Sequence, residues 1–143
     1  MHCRLVRQRT LNLQRFDHLY DRRGELGDPC VYCGIPSSGW DHIPPLVHIE
    51  RMREAGAEIE AIPRKVPACG ECNVLLNDVL LTTIQARRYE LKRRLRDKYR
   101  RIVSMPEWDE DELAELSNDD AREYIRQHLA AARYLKSRLG WAA

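Results

Sequence analysis

Two CxxC pairs constrain the fold of this chain more than any other feature. Cys30 and Cys33 form CVYC, and Cys69 and Cys72 form CGEC after an interval of 35 residues. Each CxxC turn presents two thiolates to one ion, and Zn²⁺ accepts four sulfur ligands at about 2.3 Å in a tetrahedron. The alternative is redox chemistry of the CxxC pairs. Paired motifs in a reducing compartment favour metal over disulfide, so we expect a structural zinc. Cys3, the fifth cysteine, is expected to be a free thiol.

The length and the polar composition bound the kind of protein. A chain of 143 residues is expected to form one compact domain, with room for an appendage. No apolar run approaches the roughly 20 residues that span a bilayer. The N-terminus has charges but no apolar stretch of the kind found in secretory signals. We therefore expect a cytoplasmic protein in a reducing compartment, with no membrane contact.

The positions of the cysteine pairs and of the predicted helices on either side divide the chain into three parts. Residues 1–27 are expected to be a helical segment, residues 28–81 a zinc-bound core, and residues 82–143 a helical extension. Helices are predicted over residues 10–23, 46–55, 73–81, 82–103, 107–116 and 119–139, and strands before Asp41 and over 57–68. The pattern predicts a small α+β fold with mainly helical N- and C-terminal extensions.

The charge is unevenly distributed, although the net charge is only +2. Residues 82–103 contain nine basic and two acidic residues, whereas the helices expected within 107–139 are acidic. A local basic excess of this kind can bind a phosphate backbone without reading base sequence. One alternative is a solvated helix whose basic side chains pair with the acidic segment. Another is that the acidic segment competes with DNA for the basic helix.

Three side chains suited to metal-dependent hydrolysis lie between and beside the cysteine pairs. Asp41 and His42 end a predicted strand, and Asn73 follows Cys72 directly. A carboxylate and an amide oxygen suit Mg²⁺. A neutral imidazole, with an ordinary pKa of about 6.5, can take a proton from water. The alternatives are that Asp41 and His42 are surface residues and that Asn73 only caps a helix.

The order CxxC, DHIPPL, CxxCN over about residues 28–81 resembles the HNH endonucleases, also called His-Me or ββα-metal nucleases. It is most similar to small phage enzymes of the endonuclease VII type, which carry a four-cysteine zinc. The resemblance implies a ββα-metal core in which His42 is the general base and Asp41 and Asn73 hold Mg²⁺ or Mn²⁺. It also implies cleavage of DNA to a 5′-phosphate and a 3′-hydroxyl, a bacterial or phage-infected cell, and a possible homodimer.

One position departs from the family pattern. Arg64 stands where the family often has an asparagine that braces the histidine loop, and Asn77 is a second candidate metal ligand one turn beyond Asn73. The residues expected to contact phosphate are Arg64, Arg87, Arg88, Arg94, Lys98 and Arg101. Arg64 favours an alternative function, a catalytically inactive zinc-finger module that binds nucleic acid or a protein. A third interpretation is a phage-type protein that occludes a host partner through its acidic helices.

Overall fold

A computed structural model describes residues 2–59 and 62–142, with the side chains of residues 2 and 3 outside the description. The expectation for the Cys3 thiol therefore falls outside the described residues. The elements in chain order are α1 (His2–Phe16), a 3-10 turn (Asp17–Leu19), β1 (Asp21–Arg22), β2 (Gly39–Ile43), α2 (Leu46–Glu54), β3 (Arg64–Ala68), α3 (Gly70–Leu75), α4 (Ile84–Lys98), α5 (Arg100–Val103), α6 (Glu110–Ala114) and α7 (Asp119–Leu139).

The sheet orients the central Asp-His pair. Strand β3 lies in the middle, antiparallel to β2 and parallel to β1. Asp41 pairs with Val66 and His42 with Lys65. Successive side chains of a strand point to opposite faces. Asp41 and Ile43 are accordingly buried in the core, whereas His42 is only partly buried.

Two apolar clusters hold the elements together. The larger one surrounds the four cysteines and includes Tyr32, Val66, Leu76, Leu91 and Leu95. The smaller one joins the end of α1 to α2 through Phe16, Tyr20 and Ile49. Glu50 of α2 reinforces this second contact, because its carboxylate accepts hydrogen bonds from Gln8 at 2.9 Å and Asn12 at 2.9 Å. Helix α1 is thus fixed against α2, beside the face of the sheet that carries His42.

The C-terminal helices begin at capping residues. The Thr83 side chain accepts from the backbone N–H of Ala86 at 3.1 Å, and Asn118 does the same for Ala121 at 3.0 Å. Asp109 and Glu112 form a reciprocal capping box at the start of α6. Helix α7 buries Leu129, Ala132, Leu135 and Arg138. Its C-terminal end lies over the cysteine cluster, although the helix and the cysteines are far apart in the sequence.

The small α+β class is confirmed, and helices lie where the pattern predicted them over α2 and α7. The single helix predicted over 82–103 is divided at Tyr99 into α4 and α5. The expected helix over 10–23 is wrong in its bounds, because α1 ends at Phe16 and a 3-10 turn follows. The helix expected over 73–81 occurs instead as α3, and the strand expected over 57–68 is confined to β3. Within the described residues, no helix combines the length and the apolarity that a membrane crossing requires.

Candidate functional site

The four cysteines meet at one point. Cys30 and Cys33 lie in the loop closed by the bridge between Pro29 and Pro36, whereas Cys69 and Cys72 lie at the start of α3. All four are buried, and their sulfur atoms lie within 4.8 Å of one another. The Cys33 and Cys69 sulfurs are 3.7 Å apart. Zinc–sulfur bonds of about 2.3 Å give a tetrahedron with edges of about 3.8 Å. The donor set therefore fits a zinc ion.

Arg138 lies beside this cluster, although it belongs to no motif in the sequence. It is 5% exposed, and its Nη2 is 3.9 Å from the sulfurs of both Cys69 and Cys72. Its Nη1 donates to Glu71 at 2.6 Å. Trp141 packs across Gly34, where an added Cβ would come within 2.4 Å of the indole ring. The end of α7 therefore covers the cysteine cluster and places a guanidinium against two of its sulfurs.

Asp41 points away from solvent and into an ion pair. It is 2% exposed. Its Oδ1 accepts from Nη2 of Arg87 at 2.8 Å, and its Oδ2 accepts from Nε of Arg87 at 3.0 Å. The Tyr32 hydroxyl donates to the same carboxylate. Burial raises the pKa of Tyr32, which keeps this hydroxyl protonated. Burial also raises the pKa of Asp41, and the adjacent guanidinium opposes that shift. Both carboxylate oxygens are thus occupied by donors.

Arg87 is an internal residue and has no surface to offer DNA. It is 0% exposed, and besides Asp41 its guanidinium donates to the carbonyls of Val79 at 2.7 Å, Leu81 at 3.0 Å and Leu76 at 3.3 Å. The expectation that Arg87 contacts phosphate is therefore wrong. A divalent metal on Asp41 would have to displace this guanidinium, so the expected Asp41–Asn73 pair of Mg²⁺ or Mn²⁺ ligands does not fit the arrangement described here.

His42 is held by a carboxylate that belongs to none of the motifs in the sequence. Its Nε2 lies 2.7 Å from Oδ1 of Asp17, in the turn after α1. Lys65 donates to both oxygens of Asp17, at 3.0 and 2.9 Å. The Tyr20 ring meets the imidazole edge-on, with centroids 4.7 Å apart. Burial lowers the pKa of His42, and the Asp17 carboxylate partly opposes this shift. The imidazole is therefore neutral at pH 7, the form a general base requires.

The pKa of Asp17 moves the other way from what its burial would produce. Burial alone would raise it, but the hydrogen bonds from His42 and Lys65 hold the pKa below its ordinary value. Asp17 is therefore ionised and can only accept hydrogen bonds. The proton of neutral His42 then lies on Nε2, and Nδ1 is left as the acceptor.

Two adjoining cavities meet at His42. They measure about 580 and 570 Å³ and share Arg9, His42 and Asn73 in their walls. The larger one is also bordered by Asp41, Arg51, Asn77 and Asp78, and the smaller one by Asp17 and Lys65. Asn73 uses its Nδ2 to donate to the Trp40 carbonyl at 3.0 Å, which leaves its Oδ1 as an acceptor at the cavity wall. The structure thus brings Asp41, His42 and Asn73 to one site, with only His42 and Asn73 available to a ligand.

The other expected phosphate-binding residues are mostly occupied within the chain. Arg64 donates to the Thr82 carbonyl at 3.1 Å, and Arg88 donates to the Val31 carbonyl at 2.7 Å. Arg94 binds Glu90 at 2.9 Å and the Leu75 carbonyl, and Lys98 binds Glu71 at 2.6 Å. Arg101 is exposed. None of these five borders the two cavities at His42.

Comparisons with protein families, with curated proteins and with solved structures find no match for this chain.

Proposed function

We propose that this chain is an HNH-type endonuclease that hydrolyses DNA phosphodiester bonds, with His42 as the general base. One observation carries the proposal: His42 borders two cavities together with Asn73, and its Nε2 is fixed by the ionised carboxylate of Asp17. A carboxylate that fixes the tautomer of an imidazole is a recurring arrangement in hydrolases. The four-cysteine cluster supports the proposal, because it anchors β3 and α3 beside this histidine.

The proposed chemistry uses residues of the chain. Nδ1 of His42 takes a proton from a water molecule as the water oxygen attacks phosphorus. The bond from phosphorus to the 3′-oxygen breaks, and the leaving oxygen takes a proton from solvent. Arg9 and Arg51 border the cavities and supply positive charge where the phosphate becomes more negative. No step is assigned to Asp41, because its carboxylate is bound by Arg87.

The test is a cleavage assay on plasmid and four-way junction DNA, with Mg²⁺ or Mn²⁺ and with an EDTA control. His42→Ala should abolish cutting, because a positioned general base contributes about 10²–10⁴-fold to rate. His48→Ala is the matched control, since His48 lies on α2 and borders neither cavity. Zinc content is measured on every sample. If zinc-loaded, folded wild-type protein cuts no DNA under any of these conditions, the proposal fails.

A second candidate is a zinc-stabilised module that binds nucleic acid without cutting it. The ion pair between Asp41 and Arg87 favours this candidate, because a guanidinium occupies the carboxylate that the resemblance assigns to a catalytic metal. The same samples separate the two functions. Retained DNA affinity with no cutting in either metal would select the binding module, whereas cutting that depends on His42 would exclude it.

A further inference from the structure

Most basic side chains of helix α4 are already paired within the chain. Six basic side chains of α4 and one of α5 already have partners in the chain. They are Arg87, Arg88, Lys92, Arg93, Arg94, Lys98 and Arg100. A guanidinium already bound by a carboxylate or carbonyl can reach a DNA phosphate only by breaking that contact. Fewer basic side chains of α4 are therefore available to bind DNA phosphates than the local charge of the sequence predicts.

A second set of arginines lies at the cavities instead. Helix α1 contains four arginines and no acidic residue. Its Arg9 borders both cavities at His42, and Arg51 of α2 borders the larger one. Both arginines are exposed, and the described residues provide neither side chain with an ion pair or hydrogen bond. These two guanidinium groups are therefore available to an anion.

The acidic residues around the cavities do not cancel this charge. Asp41 is paired with Arg87, and Asp17 with Lys65 and His42. Asp78 is the remaining carboxylate among the described lining residues, and it borders only the larger cavity. The junction of the cavities, where Arg9 and His42 meet, is thus free of an uncompensated carboxylate. Positive charge concentrated at a cleft favours an anionic ligand over the rest of the surface.

We propose that a nucleic-acid strand runs along the groove between α1 and the β2–α3 side of the protein, where Arg9 and Arg51 bind its phosphates. The proposal deepens the proposed function, on which it rests, because the groove leads the backbone past His42. The nucleic-acid interface is thus assigned to α1 and α2, and not to α4 as the sequence predicted. Helix α1 is suited to this role, since Glu50 and the Phe16–Ile49 contact hold it in place before a ligand binds.

The test measures binding alone, in a His42→Ala background with no added divalent metal, by fluorescence anisotropy of a labelled DNA duplex over a range of salt concentrations. Arg9→Gln/Arg51→Gln should weaken binding and reduce the slope of log affinity against log salt by about two, roughly one for each lost phosphate contact. Arg96→Gln/Arg133→Gln removes the same charge from exposed positions on α4 and α7, and should leave the slope unchanged. Zinc content and circular dichroism confirm that each variant is folded.

Lys98→Gln/Arg101→Gln tests the rival surface on α4. If this pair lowers the slope and Arg9→Gln/Arg51→Gln does not, the interface lies on α4 and the proposal is overturned. Equal losses in all three double variants would also overturn it, because the binding would then follow net charge and not the groove. If the variants show this binding pattern but the wild-type protein cuts no DNA, only the proposed catalytic function is rejected. Failure of the parent His42→Ala protein to bind DNA would reject both.

Discussion

The buried pair of Arg87 and Asp41 makes the sharpest prediction for stability. Arg87→Met replaces the guanidinium with an apolar chain of similar length at a position with 0% exposure. The substitution leaves the Asp41 carboxylate without its cation. It also removes the donors to the carbonyls of Leu76, Val79 and Leu81.

The expected loss follows from this geometry. Removing one partner of a buried ion pair costs about 3–5 kcal/mol, because the other charge stays buried and uncompensated. A domain of this size has a total free energy of unfolding of about 5–15 kcal/mol. The loss corresponds to a fall in melting temperature of roughly 10–20 °C. Arg87→Met should therefore fold at low temperature but unfold far more easily than the wild type.

The assay is urea unfolding at saturating zinc, followed by circular dichroism. Arg93→Met is the matched control: it lies on the same helix and its ion pair with Glu90 is exposed, so its midpoint should match the wild type. The double variant Asp41→Asn/Arg87→Met should recover part of the loss, because it leaves no buried charge. A loss below about 1 kcal/mol for Arg87→Met would contradict this expectation, since removing one partner of so buried an ion pair should destabilise the fold by several times that amount.

Three further predictions concern the residues around the histidine and the cysteine cluster. Asp17→Asn should lower cleavage about tenfold or more, whereas Asp17→Glu should retain part of the activity. The ¹⁵N chemical shifts of His42 should show that Asp17→Asn loses the Nε2–H tautomer. Unchanged shifts would show that Asp17 does not fix the tautomer. Because the pKa of Asp17 lies below its ordinary 3.8, its contribution to stability is present above that value and is lost as pH falls through the folded pKa. Urea midpoints of Asp17→Asn should therefore fall less steeply in this acid range than those of the wild type. Arg138→Gln should weaken zinc affinity about 10–100-fold in a competition titration with a chelator, as loss of a supporting contact does in other metal sites, whereas the exposed Arg133→Gln should not.

The two buried arginines, Arg87 and Arg138, show which features of the structure could be predicted from the sequence and which were misinterpreted. Arg87 falls on the apolar stripe of α4, three residues after Ile84 and four before Leu91. A charge at a core position of a helix requires a buried partner. The position of Arg87 on the apolar stripe therefore predicts an internal ion pair. The many arginines around it favoured the incorrect interpretation that Arg87 contacts DNA. Arg138 repeats the pattern three residues after Leu135 of α7.

Other contacts could not be predicted from local patterns. Asp17 reaches His42 only because α1 ends at Phe16 and the next turn lies beside the sheet. Arg9 and Arg51 reach the same groove because Glu50 joins two helices that are separated by 29 residues of chain. The cysteine cluster was predictable, because four thiolates at one ion leave few alternatives. Contacts that depend on how helices pack have no such constraint in the sequence.

The positions of Asp41 and His42 on adjacent residues of β2 give a final prediction about their roles. Since strand side chains alternate, Asp41 turns inward to Arg87 while His42 turns outward to the cavities. Asp41→Asn should therefore act mainly on stability, because it leaves Arg87 buried without its counterion. Zinc-loaded Asp41→Asn protein, assayed well below its melting temperature, should keep cleavage within several-fold of the wild type, whereas folded, zinc-loaded His42→Ala protein should lose cleavage. If Asp41→Asn is as stable as the wild type and cuts nothing, then Asp41 leaves Arg87 to bind the catalytic metal, and the inward arrangement is not the one that performs the reaction.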